Sequence, residues 1–342
     1  VSSTGEQILI VGPSWVGDAV LSQPLLALLK AGNPAARIDV LAPASVLPVY
    51  RRMPEVRDTI ESPFAHGQLA LGARLRLARR LRRVRYDRAV VLPNSFKSAL
   101  VPWLAGIARR TGFIGELRYG LLNDARRLDA RHLPRMVERF AHLAGGPGEP
   151  PAAPLPRPAL RVGAQEVDAV LAAKGLRRPS RLACFCPGAE YGPAKRWPAQ
   201  HFAELAQGLS REGLEVWLLG STRDAAIGAE IARLAGGAAR DLTGRTSLDE
   251  AIVLLSIAAQ VVSNDSGLMH VAAALDRPLV AIYGSSSPDF TPPLSDRARI
   301  VRLGIACSPC FERVCPLGHF DCMKRLEPRR VLEEIRKAAA PA

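Results

Sequence analysis

"GGPGEPPAAPLPRPAL", residues 145–160, decides how the chain is divided. It holds six prolines in sixteen residues. Proline removes a backbone donor, breaks a helix interior and is excluded from central strands. The stretch therefore reads as a linker, with a domain on either side. The chain's 342 residues suit that division, since domains run to roughly 100–200 residues each.

Upstream of the linker, QILIVG (7–12), ARIDVLAP (36–43) and YDRAVVLP (86–93) are apolar runs of strand length, and a helical pattern covers about Asp18 to Lys30. Downstream the pattern restarts. RLACFCPG (181–188), LEVWLLGS (214–221), ARDLTG (239–244), AQVVSNDSG (259–267) and RPLVAIYG (277–284) read as strands, and Trp197 to Glu212 as a helix. Strands alternating with helices predict βαβ units and parallel sheets. The expected fold class is α/β, with two Rossmann-like doubly wound domains, 1–160 and 161–325, facing a central cleft. Residues 328–340, within a terminal segment 326–342, read as a last helix. Such sheets bind ligands beyond the carboxyl ends of their strands.

The net charge of +14 is uneven. Residues 1–165 hold 24 Lys and Arg against 12 Asp and Glu, whereas 166–342 hold 22 against 20. The first half is therefore matched to something anionic. Its most basic stretch, ARLRLARRLRRVRYDR (73–88), carries eight arginines, and Leu71, Leu75, Leu77, Leu81 and Val84 form a partial apolar stripe. It reads equally as a solvated basic helix or as a surface for anionic lipid head groups. Aromatics are sparse there, which gives little support to base stacking. No apolar run approaches the ~20 residues of a membrane span, and no signal peptide is visible. The expected location is the cytoplasm.

Several strand ends carry chemistry. ILIVGPSWVGDAV (8–20) resembles a P-loop, but Asp18 stands where the phosphate-binding lysine belongs. LPNSFKSAL (92–100) offers Asn94, Ser95 and Lys97. In the second half, Asn264-Asp265-Ser266-Gly267 ends a strand and opens a helix. The amides of Ser266, Gly267 and Leu268 there suit an anion, and ordinary capping by Asp265 or Ser266 is the plainer alternative. PGAEYGPAKRWP (187–198) places Lys195 and Arg196 after a strand, a pair suited to a diphosphate or simply to solvent. Gly220-Ser221 and Thr243-Gly244-Arg245 add polar loops on the same edge, and the group together favours a nucleotide site. No G-x-G-x-x-G follows a strand, which weakens a dehydrogenase reading. Cys307, Cys310, Cys315 and Cys322 are dense enough to suggest a structural metal, with His319 as a substitute ligand. A compact thiol-rich loop is the simpler alternative.

Taken together, ILIVGPSWVGDAVLSQPL, PGAEYGPAKRWP, VVSNDSGLMHVAAAL and CSPCFERVCPLGHFDCM resemble family 9 glycosyltransferases, the lipopolysaccharide heptosyltransferases. The resemblance spans nearly the whole chain. It implies a GT-B fold whose last helix crosses back to the first domain. It implies inverting transfer of L-glycero-D-manno-heptose from ADP-heptose to the first heptose of the lipopolysaccharide inner core, with no required cofactor. By position it makes Gly17 and Asp18 part of the acceptor site, with Asp18 the general base. It sets Lys195 on the donor diphosphate and Asp265 on the donor sugar or its phosphate. Gly267, Leu268 and His270 fall at the phosphate-facing helix start, and Thr243, Gly244 and Arg245 near the adenosine. The partners it implies are the nucleotide sugar, the inner-core acceptor and the anionic inner membrane of a Gram-negative cell, without nucleic acid. Other readings stay open, another family 9 transferase among them. A nucleotide-sugar epimerase of similar shape needs no lipid-facing basic surface, and a non-enzymatic anion binder gives Asp18 no role.

Overall fold

A computed structural model describes residues 5–64, 68–151 and 153–339. The chain forms two compact units, Val1–Pro158 and Ala159–Ala342. Each is a six-stranded, wholly parallel α/β sheet.

In the first unit the strands are β1 (Gln7–Val11), β2 (Arg37–Ala42), β3 (Val56–Glu61), β4 (Arg88–Val91), β5 (Arg109–Phe113) and β6 (Asp124–Arg126), in the order β3-β2-β1-β4-β5-β6. Ile8, Leu9 and Ile10 of β1 are fully buried, as an unbroken apolar run between two helical layers requires. Winding runs outward from β1 to β3, then restarts at β4 on the other side of β1. The order therefore reverses between β1 and β4, which pair in parallel with Val11 opposite Val91. Loops leaving these two carboxyl ends diverge, and this is where doubly wound sheets receive ligands.

The second unit repeats the plan with β7 (Leu182–Cys186), β8 (Glu215–Leu218), β9 (Arg240–Asp241), β10 (Gln260–Asn264), β11 (Leu279–Ile282) and β12 (Ala298–Val301). Their order is β12-β11-β10-β7-β8-β9, so the reversal lies between β7 and β10, with Cys186 opposite Ser263. Trp197, Phe202, Leu209 and Leu218 are fully buried in its core. Cys184 and Cys186 are core residues of β7. The terminal helix Pro328–Ala339 packs on helix Ala199–Arg211 and on β11 and β12, with Val331 and Ile335 buried.

Local differences from the sequence reading have physical causes. The helix expected over 18–30 is two, Val16–Leu21 and Gln23–Gly32. Pro24 lacks the N–H a continuous helix needs, and the Ser22 hydroxyl donates to the Ala19 carbonyl at 2.7 Å at the joint. In helix Leu71–Arg82 the buried face is Arg74, Leu77, Ala78 and Leu81, whereas Leu71, Leu75 and Val84 are exposed. Arg74 is not a solvated charge. Its guanidinium donates to the carbonyls of Leu69 (2.6 Å) and Lys97 (2.8 Å) and lies 4.1 Å from the Phe64 ring centroid.

Candidate functional site

In the second unit the reversal point assembles a charged pair. The loop after β7 carries Lys195, and the end of β10 carries Asp265. Lys195 Nζ lies 2.5 Å from Asp265 Oδ2, with the lysine side chain 16% exposed and the aspartate 4%. Asn264 explains why these loops meet. Fully buried, it donates through Nδ2 to the Pro187 carbonyl at 2.7 Å, and its Oδ1 accepts from the Trp197 amide at 3.2 Å. One amide side chain thus clamps both ends of the Lys195 loop to the end of β10. Trp197 anchors the far end, its indole N–H donating to the Leu326 carbonyl at 2.7 Å. Sequence reading quoted Asn264 only as part of a motif. Its signal was an amide residue at a strand end, directly before the acid.

Helix Gly267–Ala274 starts beside the pair. Its N-cap, Ser266, makes no side-chain cap bond, and its hydroxyl lies 3.2 Å from that of Ser263 instead. Asp265 is turned to Lys195. Neither side chain caps the first-turn amides, so the ordinary capping alternative does not hold. An ammonium beside an uncapped helix start is chemically suited to an anion. His270, on the first turns of this helix, is buried. Burial pushes its imidazole down to about 4; the Asp265 charge opposes this and the Lys195 charge adds to it. The ring is therefore neutral near pH 7.

That buried ring has a measurable consequence. The unfolded imidazole titrates near 6.5, so between that value and about 4 the unfolded chain binds more protons. Stability must fall as pH drops through this window. The expected loss from His270 between pH 7 and pH 5 is about 2 kcal/mol. Urea midpoints at the two pH values should converge in His270→Gln relative to the parent. An undiminished difference would mean that His270 is not the group responsible.

The other residues expected on the donor side are tied into separate local contacts. Gly220 and Gly244 are joined directly, the Gly244 amide donating to the Gly220 carbonyl at 3.0 Å. Gly244 has φ +69°, which glycine tolerates best. Ser221 donates from its amide and hydroxyl to Asp224 Oδ2, at 2.9 and 2.8 Å. Thr243 is buried and donates to Asp241 from amide and hydroxyl. Arg245 is exposed, and its carbonyl accepts from Lys174 Nζ at 2.9 Å. Arg196 does not share the carboxylate, and its Nε is buried without a hydrogen-bond partner among the described residues.

The cysteine segment braces this site. The Phe311 amide donates to the Ser285 carbonyl at 2.6 Å, the Ser308 hydroxyl to Gly284 O at 2.6 Å, and Tyr191 OH to Phe311 O at 2.7 Å. The Ala194 amide donates to Arg313 O at 3.1 Å, and the backbones approach so closely that Gly192 has no room for a Cβ. Tyr191 in turn lies under Lys195, with Nζ 5.1 Å from the ring centroid. Burial raises the Cys322 thiol, and neighbouring Cys307, Cys310 and Cys315 add to the shift. Among the described residues, however, no group of three or more His, Cys, Asp or Glu is arranged to hold a metal ion. The expected structural metal is not supported, and bracing of the Lys195 loop is the role the contacts give this segment.

In the first unit, Asp18 sits in the first turn of helix Val16–Leu21, after β1, and is partly buried. Its charge reaches Tyr50, whose hydroxyl is held well above the usual phenol range by burial first, with Asp18 adding to the rise. Ser22 Oγ lies 3.2 Å from Tyr50 OH. Because Ser22 donates to Ala19 O, the phenol is the donor in that contact. Asn94, Ser95 and Lys97 leave the end of β4, on the other side of the same reversal point. Arg118, missed by sequence reading, holds this loop. It is 2% exposed and donates to Phe113 O, Pro93 O (2.5 Å) and Asn94 Oδ1 (3.1 Å). Burial pushes its guanidinium down to about 10, opposed by Glu116. Arg118→Met strands these acceptors and is expected to cost about 3 kcal/mol, read as a lower urea midpoint. An unchanged midpoint would remove Arg118 as the loop's support.

No helix of the described residues is long and apolar enough to cross a membrane.

Residues 74–321 match the profile of glycosyltransferase family 9 (heptosyltransferase). The chain is 50% identical to the lipopolysaccharide heptosyltransferase 2 of Salmonella typhimurium, over 96% of this chain and 97% of that protein. It is 47% identical to the lipooligosaccharide heptosyltransferase 2 of Haemophilus influenzae, over 86% of this chain and 88% of that one. Among solved structures, the E. coli ADP-heptose lps heptosyltransferase II superposes with a TM-score of 0.87 at 47% identity, covering 97% of this chain and 98% of that chain.

Proposed function

Since the chain belongs to glycosyltransferase family 9, the heptosyltransferases, we propose that it moves L-glycero-D-manno-heptose from ADP-heptose to the first heptose of the lipopolysaccharide inner core, inverting the anomeric centre. The names of its half-identical relatives support the donor and the acceptor. The observation that carries the mechanism is the Lys195–Asp265 pair at the β7/β10 reversal point, beside an uncapped helix start.

Inverting transfer needs one base and one place for departing charge. The acceptor oxygen attacks the anomeric carbon from the face opposite the leaving group. Its proton passes to the Asp18 carboxylate. The bond from the anomeric carbon to the diphosphate oxygen breaks, and its electron pair leaves with ADP. Lys195 and the amides of Ser266, Gly267 and Leu268 stabilise that charge where it develops. Asp265 holds the ammonium in place and offers its second oxygen to the donor sugar. Thr243, Gly244 and Arg245 receive the adenosine, with Gly220, Ser221 and Arg196 around the diphosphate. Gly17, Asn94, Ser95 and Lys97 receive the acceptor. That acceptor is borne by a lipid, so the enzyme works as a peripheral protein on the cytoplasmic face of an anionic membrane.

The test is turnover by the purified protein with ADP-heptose and with UDP-sugars, on a core acceptor ending in one heptose. Mass and anomeric configuration of the product are read. Addition of one α-linked heptose from ADP-heptose is expected if the donor is the β-anomer. Turnover of a UDP-sugar with ADP-heptose untouched would overturn the proposal.

A further inference from the structure

We propose that the outer face of two paired helices, Leu71–Arg82 and Phe96–Leu104, docks the enzyme on an anionic lipid bilayer. This rests on the reading that the acceptor is lipid-borne and names the surface that would meet the membrane.

The two helices lie side by side and run the same way. Arg74 Nη1 donates to Lys97 O at 2.8 Å near their starts, and Arg82 Nη2 donates to Leu104 O at 2.7 Å near their ends. Leu77, Ala78, Leu81, Ala99 and Leu100 fill the core beneath. What remains outside is unusual for a solvated surface. Leu71 and Leu75, one turn apart, are 56% and 37% exposed; Phe96 and Trp103, seven residues apart on one helix face, are 39% and 46% exposed. Arg76, Arg79 and Arg80 of the first helix and Arg83 at its C-cap are exposed as well, and that helix contains no acidic residue.

Each component matches one property of a bilayer surface. Arginines near an anionic leaflet gain about 1 kcal/mol each, a fivefold change in partition. Leucine and phenylalanine insert at the acyl boundary, and tryptophan settles at the head-group level. A nucleic acid would use the arginines but gives no reason to leave Leu71 and Leu75 in water. Asn94 and Ser95, proposed to meet the acceptor, lead directly into the second helix, whose first turn carries Lys97. The docking face thus continues into the acceptor subsite, which is what an acceptor embedded in the bilayer demands.

The experiment is flotation of the full chain with vesicles of phosphatidylcholine plus phosphatidylglycerol, against phosphatidylcholine alone, with a DNA duplex as competitor. The parent is expected to float with the anionic vesicles only. The combined variant Arg76→Gln, Arg79→Gln, Arg80→Gln should partition on the order of a hundredfold more weakly. Trp103→Ser should also weaken partition. Both variants should keep the parent's turnover on a delipidated core acceptor and lose turnover on the same acceptor embedded in vesicles. Equal flotation on neutral vesicles, flotation of the triple variant like the parent, or displacement from vesicles by the duplex would overturn the docking surface. If the parent fails on the delipidated acceptor as well, the transferase reading falls, while flotation still decides the surface.

Discussion

Asp18→Asn is expected to lower kcat about a thousandfold while leaving the Kd for ADP-heptose within about twofold of the parent. The asparagine keeps the shape and the hydrogen-bonding reach of the aspartate but cannot accept a full proton. The helix turn that carries residue 18 follows β1 and ends at the Pro24 break, a backbone geometry that asparagine also adopts. The acceptor's affinity should therefore survive as well. The donor subsite proposed above lies at the ends of β7 and β10 in the other unit, so its affinity should not respond. Isothermal titration with the donor and initial-rate kinetics separate the two effects. Turnover within tenfold of the parent would remove Asp18 as the base. A large rise in donor Kd would instead place Asp18 at the donor.

The two-unit plan is legible because burial on both faces of a parallel strand leaves short apolar runs such as ILIV or VV between helical stretches, and because six prolines interrupt the series once. What escaped were strands whose sequence obeys another constraint. β3, VRDTIE, is an edge strand and carries charge on its exposed positions. β12, ARIV, is the edge of the second sheet and is partly exposed. β5, RRTGF, opens on two arginines, of which Arg109 binds Asp124 and Arg110 binds backbone carbonyls. A buried arginine is invisible in sequence because its role depends on which carbonyls the fold brings to it. Arg74 and Arg118 are both of this kind.

The site divides the same way. Loops at strand ends announce themselves by small and polar residues directly after apolar runs. Their pairing does not. Lys195 and Asp265 are seventy residues apart, and only the β7–β10 adjacency makes them partners. Asn264, which enforces that partnership, carries no reacting group, and its only signal is an amide at a strand end directly before the acid. The cysteine segment misled in the opposite direction: dense thiols suggested a metal, whereas its backbone groups do the bracing.

Lys195→Met tests the pair itself, and its expected effect has two parts. Loss of a cation where charge departs with ADP should lower kcat by about a hundredfold to a thousandfold. Loss of the partner should also leave the Asp265 carboxylate, 4% exposed, without its counter-charge and next to an incoming diphosphate. Donor affinity should then fall more than removal of one favourable contact explains, because repulsion replaces attraction. The double variant Lys195→Met, Asp265→Asn separates the two parts. It should regain much of the lost donor affinity and none of the lost turnover, a coupling of about 1–3 kcal/mol in a double-mutant cycle on Kd. Additive losses in donor binding would mean that the two side chains act independently on the donor. In that case the ion pair is a feature of the fold's interior and not the diphosphate subsite proposed for it.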